Sequence, residues 1–182
     1  MSTYTKETSV QFSNQSPNYE ALQVSLETAR INFQALLVEV SEADWRRPSR
    51  TTRWSIGEIL CHITGYLDLM VPVGLDNARK GKNMPKMPRI LGNFFNFMLT
   101  RGYSRKFSRQ TIGDHYEAVH IKALALLAGV QPDEWLKSTN LPMGRLNVTQ
   151  LFEYHCQHLQ LHSQDIRYGL NYLNISNDNE VS

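Results

Sequence analysis

Three of the chain's six histidines, His155, His158 and His162, fall within a span of eight residues. Imidazole binds transition metals and changes charge near neutral pH, so the spacing of the three decides what the cluster can do. Their flanks, Leu151-Phe152 on one side and Ile166 to Leu173 on the other, repeat with helical period. Residues three or four apart share a helix face, which puts the imidazoles on one stripe with Leu151, Ile166, Gly169 and Leu173. That stripe points where a bundle core belongs. A buried imidazole needs a partner for each ring nitrogen, and a metal is one such partner.

His158 and His162 stand four apart, about 6 Å along a helix axis, which is the arrangement of paired helical histidines in zinc sites. His155 and His158, three apart, are also compatible, whereas His155 and His162 lie about 10 Å apart along the axis and do not suit one ion. Spacing makes His158 the shared member and leaves its partner open. A third ligand must come from another helix. His62, near Tyr66 and one turn from Glu58, is one candidate, and His120 competes with it. His115, among Asp114 and Glu117, reads as solvated. Three nitrogens with an open fourth position are the arrangement of a catalytic metal. Glu58 and Asp165 are placed to orient ligands from behind, and the pattern identifies no further catalytic residue.

Four long elements must position these groups. A helix is expected from Asn18 to about Glu42, where Leu22, Leu26, Ala29, Phe33, Leu36, Leu37 and Val40 recur without Gly or Pro. The second helix starts at a capping box, Ser55 with Glu58, with Trp54 and Ile59 placed as a hydrophobic staple. It runs to about Asn77, with a kink expected at Pro72. The third spans about Thr111 to Ala128 and ends at Gly129. The fourth opens on Asn147 with Gln150, a second capping box, and runs to about Leu173. The connection of about thirty residues between the second and third helices exceeds a tight hairpin. It is expected to cross the bundle, its apolar run Ile90 to Leu99 forming a short helix packed on the core. No convincing strand is expected. The fold class is therefore all-α: a four-helix bundle with a long crossover, one domain over residues 18–173, a flexible tail over 1–17 and a polar tail over 174–182.

Composition narrows the partners. At 182 residues the chain buries a core without disulfides, and Cys61 and Cys156 are expected as packed thiols. The net charge is only +2, yet nine Lys or Arg and no acid lie between Arg79 and Arg109, and four arginines lie between Trp45 and Trp54. These thirteen imply one electropositive surface. Aromatics interleave with the basic residues of the crossover, but the expected packing of Ile90 to Leu99 weighs against nucleic acid as a partner. No apolar run reads as a signal peptide or a bilayer span, which makes a cytoplasmic location the default. A homodimer is compatible with the sequence.

Two segments resemble a known family. Trp54-Ser55-Ile56-Gly57-Glu58-Ile59-Leu60-Cys61-His62-Ile63 is similar to the Trp-Ser-x-x-Glu-x-x-x-His segment, closed by Leu or Ile, of the DinB-like superfamily of metal-binding four-helix proteins. His158-Leu159-Gln160-Leu161-His162-Ser163-Gln164-Asp165-Ile166 resembles its second histidine segment. Leu161 stands where many members carry His or Tyr, and Asp165 where many carry Gln. The resemblance implies a metal triad of His62, His158 and His162, with His155 and Tyr66 as pocket wall. It further implies a divalent metal, zinc or nickel, and metal-dependent chemistry with a low-molecular-weight thiol or another small-molecule substrate, either S-transfer or hydrolysis. A non-catalytic binding or interaction module of the same fold is the alternative.

Overall fold

The computed structural model describes residues 19–49, 54–85 and 88–178. The expected tail over 1–17, Arg50, Arg53 and Lys86 lie outside the described residues. Helix α1 spans Tyr19–Glu39 and buries the expected stripe, with Leu26, Phe33 and Leu36 almost fully enclosed. A connection returns the chain to α2, Ile56–Gly65, which begins at the capping box read from the sequence. The Ser55 amide donates to Glu58 Oε2 at 2.8 Å and the Glu58 amide to Ser55 Oγ at 3.2 Å. Gly57 admits the indole of Trp45, because a Cβ there would lie 2.4 Å from Trp45 Cε2. Bare backbone lets the connection pack directly on the first turn of α2.

Pro72 acts differently from a simple kink. The segment Tyr66–Met70 widens into a π-helix, the Val71 amide donating to the Tyr66 carbonyl, and α3, Val71–Arg79, continues the same rod with Pro72 in its first turn. Proline has no N–H to give and its ring crowds the preceding turn, so the wider winding accommodates it without breaking the rod. This rod, residues 56–79, is by length and composition alone apolar enough to cross a bilayer. Its apolar side chains Ile59, Ile63, Leu67, Val71 and Leu75 are instead buried in the bundle.

The crossover carries α4, Arg89–Ser104, longer than the expected short helix and packed along α2. The expectation that its apolar run packs on the core does not hold for four of its side chains. Leu91, Phe94, Met98 and Leu99 are 49–65% exposed, and among the described side chains of the helix Thr100 is the buried one. A helix laid across the outside of a bundle has one inward stripe, and here Thr100 lies on it, with Tyr103 packed against the core, while Leu91, Phe94, Met98 and Leu99 face out. Helix α5, Arg109–Ala128, completes the third arm and packs on α1.

A further difference follows α5. Strands β1, Ser138–Leu141, and β2, Gly144–Asn147, pair antiparallel in register from Ser138 with Asn147 to Leu141 with Gly144. Four residues per strand are too few to show a period of two beside a proline, which is why the sequence predicts no strand here. Gly144, at φ +138°, supplies the turn conformation that a side chain disfavours. The hairpin delivers Asn147 straight into the second capping box, where the Gln150 amide donates to Asn147 Oδ1 at 2.8 Å. Helix α6, Val148–Asp178, extends past the expected end at Leu173, since no Gly or Pro stops it there. α1, the rod 56–79, α5 and α6 form the four-helix bundle, with α4 as its crossover and the core among the four.

The expected single electropositive surface is partly neutralised by pairing among the described residues. Arg47 pairs with Asp44, Arg79 with Glu134 at 2.9 Å, Lys80 with Asp76 at 2.7 Å and Arg101 with Glu58 at 3.1 Å. Arg109 donates to the carbonyls of Val40 and Leu37. Glu134 and Glu58, distant in sequence, and Asp44 and Asp76, three and four residues away, neutralise part of a charge run that looks uncompensated along the chain.

Candidate metal centre

α2 and α6 run side by side at the end of the bundle where α4 crosses, and each presents imidazoles to the other. The ring centroids of His62 and His158 lie 4.7 Å apart, those of His62 and His162 5.3 Å, and those of His158 and His162 4.6 Å. One nitrogen from each ring lies within 4.8 Å of the other two. His158 Nε2 and His162 Nε2 stand 3.1 Å apart. Two nitrogens bound to one tetrahedral zinc at about 2.0–2.1 Å would stand about 3.4 Å apart, close to what these rings show.

The protonation states fit the same picture. Burial, reinforced by the neighbouring His162, pushes the His62 imidazolium down to about 3. Burial and the adjoining imidazoles hold His158 well below its ordinary 6.5. Both rings are therefore neutral at neutral pH, each with a lone pair to offer. His162 Nδ1 lies 3.1 Å from Asp165 Oδ2, so a proton on Nδ1 donates to the carboxylate and leaves Nε2 as the free lone pair facing His158. His158 Nδ1 is buried with no hydrogen-bond partner among the described residues. Imidazole nitrogens that face each other as acceptors repel unless a proton or a cation lies between them, so this donor set suits a divalent metal.

Around the triad the roles sort clearly. Trp54, read from sequence as a staple residue, lays its ring 4.5 Å from that of His62 and 6.4 Å from that of His162. Tyr66 packs 5.6 Å from His158 and is anchored by its hydroxyl, which donates to the Leu151 carbonyl at 3.1 Å. Tyr154 packs against both Tyr66 and His158. Thr100 Oγ1 lies 3.3 Å from His62 Nδ1. Nothing in the sequence marks Thr100, because it sits on the crossover helix, about forty residues from its partner, without periodic signal. Glu58 does not reach the imidazoles. Its carboxylate is taken by the Ser55 amide and Arg101. Asp165 pairs with His162 and leaves Arg167 to Glu39 at 2.7 Å.

The remaining histidines stand apart from the triad. His155 is fully buried, with Nε2 at 2.9 Å from the Tyr116 hydroxyl, and burial pushes its pKa down to about 3. His120, the competitor read from spacing, faces α1 and pairs with Glu27 at 3.1 Å. His115 is not simply solvated: its Nε2 lies 2.7 Å from the Tyr103 hydroxyl and its ring stacks on Phe107 at 4.4 Å. Cys61 and Cys156 are free thiols that burial pushes up to about 12, so neither is a thiolate at neutral pH.

The DinB superfamily model matches residues 25–166, and the chain belongs to that superfamily. Among solved structures, YfiT from Bacillus subtilis, described as a probable metal-dependent hydrolase with an unusual four-helix bundle topology, aligns with TM-score 0.69 at 10% identity over 91% of this chain and 93% of that one. A mycothiol-dependent maleylpyruvate isomerase aligns with TM-score 0.64 at 12% identity over 82% of this chain, which spans 61% of the isomerase. The colibactin self-resistance protein ClbS, in complex with double-stranded DNA, aligns with TM-score 0.65 at 14% identity over 85% of this chain and 96% of that one. At these identities the likeness is one of fold. A comparison with curated proteins finds no match.

Proposed function

We propose that this DinB-superfamily chain is a metal-dependent enzyme of small-molecule chemistry, holding one divalent cation, zinc or nickel, through His62, His158 and His162. The observation that carries this reading is the convergence of one nitrogen from each of the three rings within 4.8 Å, with burial keeping His62 and His158 neutral. A bound divalent metal supplies Lewis acidity that lowers the pKa of a thiol or water, making a nucleophile available at neutral pH. The chain's own residues do the rest. Asp165 fixes the tautomer of His162, Thr100 orients His62, and Trp54, Tyr66 and Tyr154 wall the site with apolar rings that exclude bulk water.

Three protein donors leave room for a substrate atom, which favours catalysis over a closed structural site. Thiol-dependent transfer and hydrolysis both fit this arrangement; the mycothiol dependence of the structurally similar isomerase supports thiol chemistry, and the description of YfiT as a probable metal-dependent hydrolase supports hydrolysis. Elemental analysis of protein purified without an affinity tag is expected to give one zinc or nickel per chain. Turnover of thiol and electrophile pairs, or of ester and amide substrates, is then expected to vanish on chelation. Metal content near zero overturns the reading. Full metal content without metal-dependent turnover in either panel returns the non-catalytic metal-binding module of the same fold.

A further inference from the structure

Beside the triad lies a cleft of about 340 Å³ lined by Arg46, Pro48, Trp54, Ser55, Glu58 and Arg101. Its volume suits a small molecule. Its lining carries two guanidinium groups against one carboxylate, and that carboxylate is already engaged: Glu58 accepts from the Ser55 amide and from Arg101 Nε. Arg101 is held in place by this pair and by the Phe97 ring, 4.5 Å from its guanidinium carbon. Only its Nε is used, so its terminal nitrogens keep their donors for something else.

Arg46 is the more telling residue. Arg30, Arg47, Arg79, Arg101 and Arg167 each pair with a carboxylate, Arg109 donates to backbone carbonyls and Arg145 to Ser138 Oγ. Among the described arginine side chains only Arg46 and Arg105 lack a protein partner, and of these two Arg46 lines the cleft. Three of the residues lining the cleft link it to the triad. Trp54 belongs to both, Glu58 stands one helical turn before His62, and Arg101 follows Thr100, which contacts His62.

We propose that this cleft is an anion subsite, in which Arg46 and Arg101 receive the carboxylate or phosphate of a small molecule whose reacting group lies at the three histidines. The offset between Glu58 and His62 sets the ligand's dimensions: its anionic group and its reacting atom are separated by roughly one helical turn, about 6 Å. Trp54 packs against the portion between them. Guanidinium recognises both oxyacid groups by charge-assisted hydrogen bonds, so the choice between them is left to measurement. The assignment of the reacting end rests on the metal-dependent reading above, whereas anion binding itself does not.

The test is a titration of the full chain, metal-free and metal-loaded, with sodium succinate and separately with inorganic phosphate at matched ionic strength. Binding is followed through the Trp54 indole and Arg46 Nε signals by ¹H–¹⁵N NMR. Saturable shifts of both signals are expected with one of the two anions, which identifies the group. R46Q is expected to weaken that binding about tenfold, the loss of one charge-assisted hydrogen bond. R101Q is expected to weaken it likewise, and R105Q, at an exposed cation outside the cleft, to leave it unchanged. No saturable shift with either anion, or equal weakening by R105Q and R46Q, overturns the subsite. Saturable binding by metal-free protein supports it even if the protein proves to hold no metal, so the two readings fail separately.

Discussion

His155 and His158 lie one turn apart on α6, both buried and both pushed by burial toward the neutral imidazole. Around His155 the fold supplies a conventional partner, the Tyr116 hydroxyl, and Tyr116 in turn stacks on Phe33 of α1 at 3.8 Å. Around His158 it supplies other acceptors: the rings of His62 and His162 converge on it, with Nε2 of His162 3.1 Å away. The difference shows how a bundle uses the same residue twice. One imidazole has its Nε2 met by a tyrosine hydroxyl of a neighbouring helix, while the Nε2 of the other faces a second imidazole nitrogen across a gap suited to a proton or a cation; the Nδ1 atoms of both are buried without a hydrogen-bond partner among the described residues.

The largest expected effect breaks the second half of that contrast. H158A is expected to abolish metal retention by purified protein, and H62A to do the same, whereas Y116F leaves metal content at one per chain. Elemental analysis of the three variants decides, and retention of metal by H158A would remove the ligand assignment. The next effect, on stability, concerns the first half. Y116F strips the partner from His155 Nε2 and is expected to cost about 1–3 kcal/mol, read as a lowered urea midpoint.

Acid extends the comparison to both sites. His155 and His62 titrate near 3 when folded against an ordinary 6.5, so their neutral forms contribute full stability above pH 6.5. That contribution drains as pH falls from 6.5 toward 3. Carboxylates lowered by ion pairs, such as Glu39 beside Arg167, lose theirs only below their ordinary 4.5. Metal-free protein is therefore expected to lose stability already between pH 6.5 and 5, measured by urea denaturation across that interval. A flat response there would show that the imidazoles are not held neutral.

Smaller effects sharpen the role of the groups behind the ligands. D165A frees the His162 tautomer and is expected to weaken metal affinity by about 10–100-fold in competition with a chelator. T100A removes a longer contact, 3.3 Å from His62 Nδ1, and is expected to cost less than tenfold. If T100A proved the more damaging, α4 rather than α6 would be the element that orients the site.

Much of this was legible along the chain. Periodicity located all four long helices, and the two capping boxes placed their decisive starts, because a cap is a local arrangement of a side chain and an amide three residues away. The pair His158 and His162 followed from i,i+4 geometry, which any helix enforces. Spacing could not choose between His62 and His120. They sit on different helices, and only the packing of α2 on α6, with α5 turned so that His120 meets Glu27, separates them. The exposed face of α4, the hairpin before α6 and the π-helical passage through Pro72 were likewise hidden, since each depends on neighbours far away in sequence or on elements too short to repeat.

What the sequence by itself determined, then, was the set of helices and the two imidazoles one of them must carry together, both consequences of short-range backbone geometry. Tertiary structure brought to them His62, which spacing leaves in competition with His120 and only the family resemblance chooses, and it alone decided that Thr100 stands behind His62 and that Arg46 and Arg101 line one cleft with Trp54. Those are contacts between segments thirty to a hundred residues apart, and they exist only once burial of the apolar stripes has fixed how the helices lie against one another.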